Sequence, residues 1–208
     1  MARTFPEDPR PARRRARMES VLAAAWAMAR EDGLAAVSLH EVARRIGIRQ
    51  PSLYAYVDSK AGLYDAMFAQ AAETMFRDIS TATHPADPRD AVMEMSRRIV
   101  AFATADIARY QLLFLRTLPG FEPRPDSYAR SVQLLDWMTA RLRAAGVDDP
   151  ADVDVYTALI AGLVVQQTSN DPGGDRWTRH LETVLSLFFA HLDRGTVREP
   201  IRRQEGQP

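Results

Sequence analysis

The sequence predicts an all-α protein of about nine helices, and three observations carry that expectation. Apolar residues recur at three- and four-residue spacing along most of the 208-residue chain. Alternating β-branched runs bounded by hairpin turns are missing. Glycines, prolines and short polar caps punctuate the chain at intervals that suit helices.

A first helix is expected over residues 13–32, with Val21, Leu22, Ala25, Trp26 and Ala29 on its apolar face and Gly33 as its stop. The second starts at Ser38, where Ser38 and Glu41 have the spacing of a capping box, and ends at Gly47. The third is short, over 50–56, with Pro51 in its first turn, where a missing N–H does no harm. A fourth begins near Ser59 and carries Leu63, Met67, Ala71 and Met75 in one stripe. After the break at 81–88, Asp87 and Pro88 open a fifth helix with Val92, Met95, Ile99 and Phe102 on its inner face. The sixth is expected over 106–118, before Pro119 and Gly120. The seventh is expected over 126–145, turning Tyr128, Val132, Leu135 and Leu142 inward and ending at Gly146. Asp149 and Pro150 begin the eighth, which runs to about residue 167, and the ninth follows the NDPGGD loop over 175–192. The polar tail, 195–208, is expected to fray, and no internal repeat is visible.

A hydrophobic content of 46% is enough to fill a core. With no cysteine, a disulfide framework, a thiolate zinc site and a cysteine nucleophile are excluded. The N-terminal stretch lacks a signal-like apolar region, and no run is long enough to span a membrane, so a soluble cytoplasmic protein is expected, without a membrane partner. Zinc-protease, nucleophile-elbow, P-loop and dinucleotide fingerprints are missing. His40, His84, His180 and His191 are dispersed. Asp148, Asp149, Asp152 and Asp154 read as acids favoured at a helix N-terminus rather than as a metal site. No catalytic residue, metal or cofactor is therefore expected.

Net charge is zero but unevenly spread. Residues 1–60 carry ten arginines and Lys60, the chain's only lysine, against seven acids. A basic end of this kind suits an anionic polymer. The second and third helices, joined at Gly47, have the layout of a helix-turn-helix, whose second helix enters the major groove while the first crosses the backbone. Val42, Ala43, Ile46, Ile48 and Leu53 would lock the pair, leaving Arg49, Gln50, Ser52, Tyr54 and Tyr56 to point outward. Gln50 suits adenine, Arg49 guanine and Pro51 a thymine methyl, while serine and tyrosine hydroxyls suit phosphates. Lys60, at a helix start, suits a phosphate as well. Arg44 and Arg45 read as a solvated face. The run Arg10, Arg13, Arg14, Arg15 and Arg17 is either an arm for the minor groove or a mobile tail that adds non-specific affinity.

Residues 15–67 resemble the DNA-binding module of the TetR family of bacterial transcriptional regulators. The resemblance rests on the small-residue helix ending in Gly33, the Ser38 cap, Val42 and Ala43, and Ile46-Gly47-Ile48. It continues through Gln50-Pro51-Ser52-Leu53-Tyr54, Tyr56, and Lys60 with Leu63. It covers about a quarter of the chain, and the helix count is similar to that family's plan. It implies that Gln50 and Pro51 read bases while Ser52, Tyr54, Tyr56 and Lys60 grip the backbone, with Ser38 and Arg49 counted in the same interface. Ala55 departs from the pattern, since many relatives carry a larger aromatic there.

The resemblance also implies a basic arm (1–12), a helix-turn-helix domain (13–60), a ligand-binding and dimerisation domain (61–194) and a tail (195–208). The expected partners are a double-stranded DNA operator, a second copy of the chain and a small, mostly apolar effector that releases the DNA. Candidate effector contacts are the large or polar groups that interrupt apolar stripes: Phe102, Tyr110, Phe114, Trp137, Met138, Tyr156 and Gln167. Each also fits a plain core position. For the dimer, Ala158, Ala161 and Gly162 offer a close helix approach, and Leu181, Val184, Leu185, Phe188 and Phe189 an apolar complement. A helical protein-binding adaptor without DNA activity is the competing class, and it leaves Gln50 to Tyr54 and Lys60 unexplained.

Overall fold

Nine α-helices make up the regular structure of residues 9–195 in a computed structural model, apart from two short 3-10 turns at Leu34–Ala36 and Thr178–His180. They are α1 (Pro9–Asp32), α2 (Leu39–Arg45), α3 (Gln50–Leu53), α4 (Lys60–Ser80), α5 (Pro88–Ala105), α6 (Ile107–Phe114), α7 (Pro125–Ala144), α8 (Pro150–Asn170) and α9 (Leu181–Gly195). No strand occurs among the described residues. None of their helices is long and apolar enough to cross a membrane. The chain forms two compact units. One gathers the described residues through Ala82 with Ala101–Trp137, and the other Thr83–Val100 with the described residues from Met138 onward. The compact units therefore do not follow the expected division at residue 60, because α4 and α6 pack with α1.

The first unit is built on the stripes that the sequence announces. Val21, Ala25, Trp26, Val42, Leu53, Leu63 and Met67 share one buried cluster, which Ala108 and Leu112 of α6 complete. Trp26 keeps its indole N–H satisfied by donating to Gln70 Oε1 at 2.8 Å. Arg30 closes the far end of α1 onto α6: its Nη2 lies 2.6 Å from Asp106, which also accepts from Arg109 N as the N-cap of α6. In the second unit Val92, Met95, Tyr156, Val164, Leu185 and Phe188 are buried. Ser96 donates to Val92 O at 2.7 Å, so the 2.7 Å contact between Ser96 Oγ and Tyr156 Oη has the tyrosine as its donor.

Several boundaries and faces differ from expectation. The first helix begins about one turn earlier, at Pro9, so residues 9–12 of the expected arm are helical. Residues 1–8 and the tail from 196 lie outside the described residues. The sixth helix stops at Phe114, well short of 118. Pro119 has no N–H for the carbonyl of Leu115, and its ring would clash there if the helix continued; Thr117 N–H takes that carbonyl instead, at 2.8 Å. The ninth helix starts at Leu181 rather than 175, after the 3-10 turn.

The seventh helix is rotated relative to its expected face. Tyr128, Val132 and Leu135 are exposed, at 56%, 37% and 57%, while Ser127, Leu134 and Leu142 are buried. The cause is polar: Asp65, buried on α4, accepts from Arg124 N at 2.7 Å and from Ser127 Oγ at 2.8 Å. That pin carries Ser127 inward, and Leu134, two turns on, follows.

Burial pushes the Tyr156 hydroxyl up to about 12. The phenol binds its proton more tightly folded than unfolded, so this contribution to stability is complete below the ordinary tyrosine value of 10.0 and fades as pH rises toward 12. Tyr156→Phe is expected to cost about 1 kcal/mol in urea denaturation at neutral pH. It should also flatten the loss of stability across the alkaline window; an unchanged alkaline profile would refute the assignment.

Candidate nucleic-acid interface

The turn between α2 and α3 is set by Gly47. Gly47 N–H donates to Arg44 O and Ile48 N–H to Ala43 O, the paired bonds of a Schellman stop, and Gly47 has φ 69°, which favours glycine. Val42, Ala43 and Leu53 are buried beneath it, with Ile46 and Ile48 partly buried against the same core. The α3 segment is thereby held by one buried leucine and presents its remaining surface outward.

Ser38 occupies the N-cap position of α2 with extended backbone, but its hydroxyl makes no capping bond, and the expected capping box does not form. Glu41 is drawn away instead. Arg44 reaches both of its oxygens at 2.7 Å, and Arg45 Nε adds a third bond at 3.1 Å. Two charge-assisted partners outcompete one neutral amide. They hold the Glu41 carboxyl down at about 2, Arg44 contributing first. Arg45 also reaches Glu31 at 2.7 Å, tying α2 to α1. Arg44 and Arg45 are therefore internal struts of the module as well as solvated charges.

Arg49, Pro51 and Ser52 are exposed, Tyr54 is 50% exposed, and Gln50, Tyr56 and Ser38 are half-buried. Pro51 lies in the first turn of α3, and Tyr54 stands outside the core. Lys60 is exposed at the first position of α4. Its Nζ donates to Ala35 O at 3.0 Å and lies 5.6 Å from the Tyr64 ring centre. Tyr64 donates its hydroxyl to Leu34 O at 2.6 Å. Ser59 caps α4 by accepting from Gly62 N at 2.9 Å. Sequence reasoning missed Asp58, which follows the recognition segment and accepts from Arg124 Nη2 at 2.5 Å. Its partner lies 66 residues away, so local spacing held no signal for it.

The expected effector residues are not gathered into one place. A cleft of about 380 Å³ in the first unit is lined by Phe68 of α4, Leu112 to Phe114 of α6, the segment 115–123, and Tyr128 and Ser131 of α7. Of the candidates only Phe114 lines it. Tyr110 is buried behind, its ring 5.4 Å from that of Phe114. Phe102, Trp137 and Met138 are half-buried. In the second unit Tyr156 is buried against Ser96. Gln167 is buried and saturated: it donates to Asp171 O and accepts from Trp177 N at 2.8 Å, shaping the loop before α9. Tyr156 and Gln167 are thus core and loop-holding groups. A second groove, of about 370 Å³, is bounded by Ala35, Lys60, Ala61, Tyr64 and Leu118 to Phe121, so the segment 118–121 forms a wall of both spaces.

On α8, Ala158 and Gly162 are exposed and Ala161 half-buried; they continue a line of Val155 and Val165, both exposed. The α9 candidates divide differently. Leu181, Leu185, Phe188 and Phe189 are buried in their own unit's core, and Val184 is half-buried, so the four do not form a surface. The large exposed apolar residue of α9 is Leu187, at 63%, which the sequence pattern does not single out. Helical periodicity finds an apolar stripe without saying whether its partner is intramolecular.

No curated protein matches the chain at the level of sequence. Residues 21–67 match the family model described as bacterial regulatory proteins, tetR family. Among solved structures, the fold is similar to that of a protein of unknown function from Rhodococcus sp. RHA1, at TM-score 0.70 and 16% identity over 84% of this chain and 93% of that one. It is similar to a TetR family transcription regulator from Marinobacter aquaeolei VT8, at 0.63 and 16% over 86% and 97%. It is also similar to the multidrug binding protein EbrR complexed with imidazole, at 0.59 and 22% over 85% and 89%. The matched segment spans the last three turns of α1, the helix-turn-helix and the start of α4, and over these residues the chain is similar to the TetR family of bacterial regulatory proteins.

Proposed function

We propose that the protein is a homodimeric, cytoplasmic transcriptional repressor that leaves a palindromic DNA operator when a small, mostly apolar effector binds. The observation that carries this reading is the outward surface of the helix-turn-helix. Arg49, Pro51, Ser52 and Tyr54 stand free of a core that holds only Leu53 of the same segment. Arg49, Gln50 and Pro51 read base edges, while Ser52, Tyr54, Tyr56 and Lys60 take phosphates, with Ser38 at their margin. An ammonium has three donors, so Lys60 keeps capacity for a phosphate beyond its bond to Ala35 O.

The effector occupies the cleft of Phe68, Phe114, Leu118, Phe121 and Tyr128, whose size suits a small molecule and whose wall also carries Arg116, Thr117, Glu122 and Ser131. The likeness to a multidrug binding protein supports the same assignment. Occupancy displaces the segment 115–123, because Pro119 keeps it out of helix. Phe121 packs edge-on to Tyr64 with ring centres 5.7 Å apart, and Arg124 holds Asp58 and Asp65. Movement of the segment thus reaches Lys60 and the recognition helix through directly touching groups. A coupling of about 1–3 kcal/mol suffices for a roughly 5- to 150-fold fall in DNA affinity.

The dimer forms on α8 through Val155, Ala158, Ala161, Gly162 and Val165, with Leu187 of α9 beside them. Small residues let the backbones approach closely. A Cβ at Gly162 would meet nothing within its own protomer. Gly162→Arg is therefore expected to fold normally and to run as a monomer in light scattering at micromolar concentration, where the parent runs as a dimer. A monomeric parent would sink this assignment.

Selection of bound duplexes from a random pool should return a palindrome with half-sites about one helical turn apart, or a multiple of that distance. A non-palindromic or empty outcome counts against the reading. On the selected duplex, Lys60→Ala should weaken binding to specific and random DNA alike and lower the salt slope by about 1 for each phosphate left without its cation. Gln50→Ala should relax preference at one base pair per half-site, at a cost of about 1–3 kcal/mol. Equal effects of both variants on both duplexes would overturn that division of roles.

A further inference from the structure

The arginines at the start of α1 violate a local rule. Arg10, Arg13, Arg14, Arg15 and Arg17 place five cations in the first two to three turns, at the positive end of the helix dipole, and no acid sits in the first turn. All five are exposed. Among the described residues no carboxylate pairs with Arg13, Arg14 or Arg17. Arg13, Arg14 and Arg17 thus stand, without a carboxylate partner among the described residues, where the helix dipole least favours cations.

Spacing shows where the charges face. Arg10, Arg14 and Arg17 fall on the same heptad line as Val21, Ala24 and Met28 further along α1. Val21 and Met28 are buried in the cluster that also holds Val42, Ala43 and Leu53 of the helix-turn-helix, and Ala24 packs partly against it. The seam of α1 that enters the first unit's core thus continues past the end of that core and changes from apolar to arginine. Arg13 lies beside this line, whereas Glu19 lies half a turn away from Arg10 around the helix. Arg14 places this face of the helix beside the module: its Nη2 lies 3.5 Å from the carbonyl of Ala55, immediately after the recognition segment.

We propose that the stripe Arg10, Arg13 and Arg17, with Arg14 lying beside the module, is a folded clamp for the phosphate backbone of duplex DNA just outside each half-site. The clamp rests on the DNA-binding function proposed for the helix-turn-helix and adds a surface to it. A helical arm has its arginines about one turn apart, roughly 5 Å, and presents them as a row of point charges. It is neither a flexible strand for the minor groove nor a frayed tail. Its grip is electrostatic and independent of sequence, so it shows as salt dependence and footprint length.

The test uses the full chain and the palindromic duplex selected from the random pool, prepared with about one helical turn of flank on each side, roughly 10 bp, and with none. Replacing Arg10, Arg13 and Arg17 together by Gln is expected to weaken binding to the flanked duplex about 10- to 100-fold and to lower the salt slope by about 2–3 per protomer. Replacing them together by Lys should restore most of the affinity, because a phosphate needs charge rather than a planar fork. On the flankless duplex, parent and Gln variant should bind alike. The clamp is refuted if the Gln variant matches the parent on the flanked duplex, or is weakened equally on both lengths. It is also refuted if Lys fails to restore binding while A·T-rich and G·C-rich flanks bind differently, which is minor-groove behaviour. A parent that binds neither duplex would instead bring down the DNA-binding function itself.

Discussion

One buried carboxylate organises the first unit beyond its hydrophobic core. Asp65 sits on the long α4 helix and accepts both the backbone N–H of Arg124 and the hydroxyl of Ser127. Burial of an acid is tolerated only with such partners, and here both come from the start of α7. The pin fixes where the segment after α6 must end and how α7 is turned about its axis. It therefore decides which residues face the cleft and brings the Arg124 guanidinium within reach of Asp58. Without it, Leu135 and Tyr128 would be the natural inward residues, as the apolar pattern alone suggests.

The helix-turn-helix depends on a different balance. Its core is small: one leucine from α3, two residues from α2, Leu34, Val37 and Val57 from the connecting segments, and the facing stripes of α1 and α4, with Ala108 and Leu112 of α6. Charged struts supplement it, with Arg45 spanning from Glu41 to Glu31 and Arg30 from α1 to Asp106. Solvent screens pairs of this kind, so they orient elements more than they stabilise them. Orientation is what the proposed reading head needs, since a displacement of about an ångström is enough to break a well-aimed bond.

Much of this was legible from sequence, for reasons that the particular elements make clear. The stripes of α1 and α4 are long, periodic and packed within their own unit, so spacing alone reveals them. The Gly47 turn was readable because its stop needs a residue tolerant of positive φ. The misreadings have a common origin in competition from partners distant in sequence or stronger in charge. Glu41 matched a capping box but met two guanidiniums; Tyr128, Val132 and Leu135 matched an inward face but yielded to Asp65. The α9 aromatics matched an interface and filled a core instead. Gln167 and Tyr156 looked like ligand contacts, whereas their polar atoms are already engaged by the loop before α9 and by Ser96. Long-range polar bonds leave no periodicity, and so no trace in the spacing of residues.

The posture of Lys60 bears on the entropy of recognition. A free lysine samples many rotamers, and a phosphate must freeze them at the moment of binding. Here the four-carbon stem is already committed, its ammonium fixed by the Ala35 carbonyl and set over the Tyr64 ring. In the proposed phosphate contact, the ordering cost of the stem therefore falls on folding rather than on binding. A grip made this way is stiff, and it depends on Tyr64 and the Leu34–Ala36 turn keeping their places.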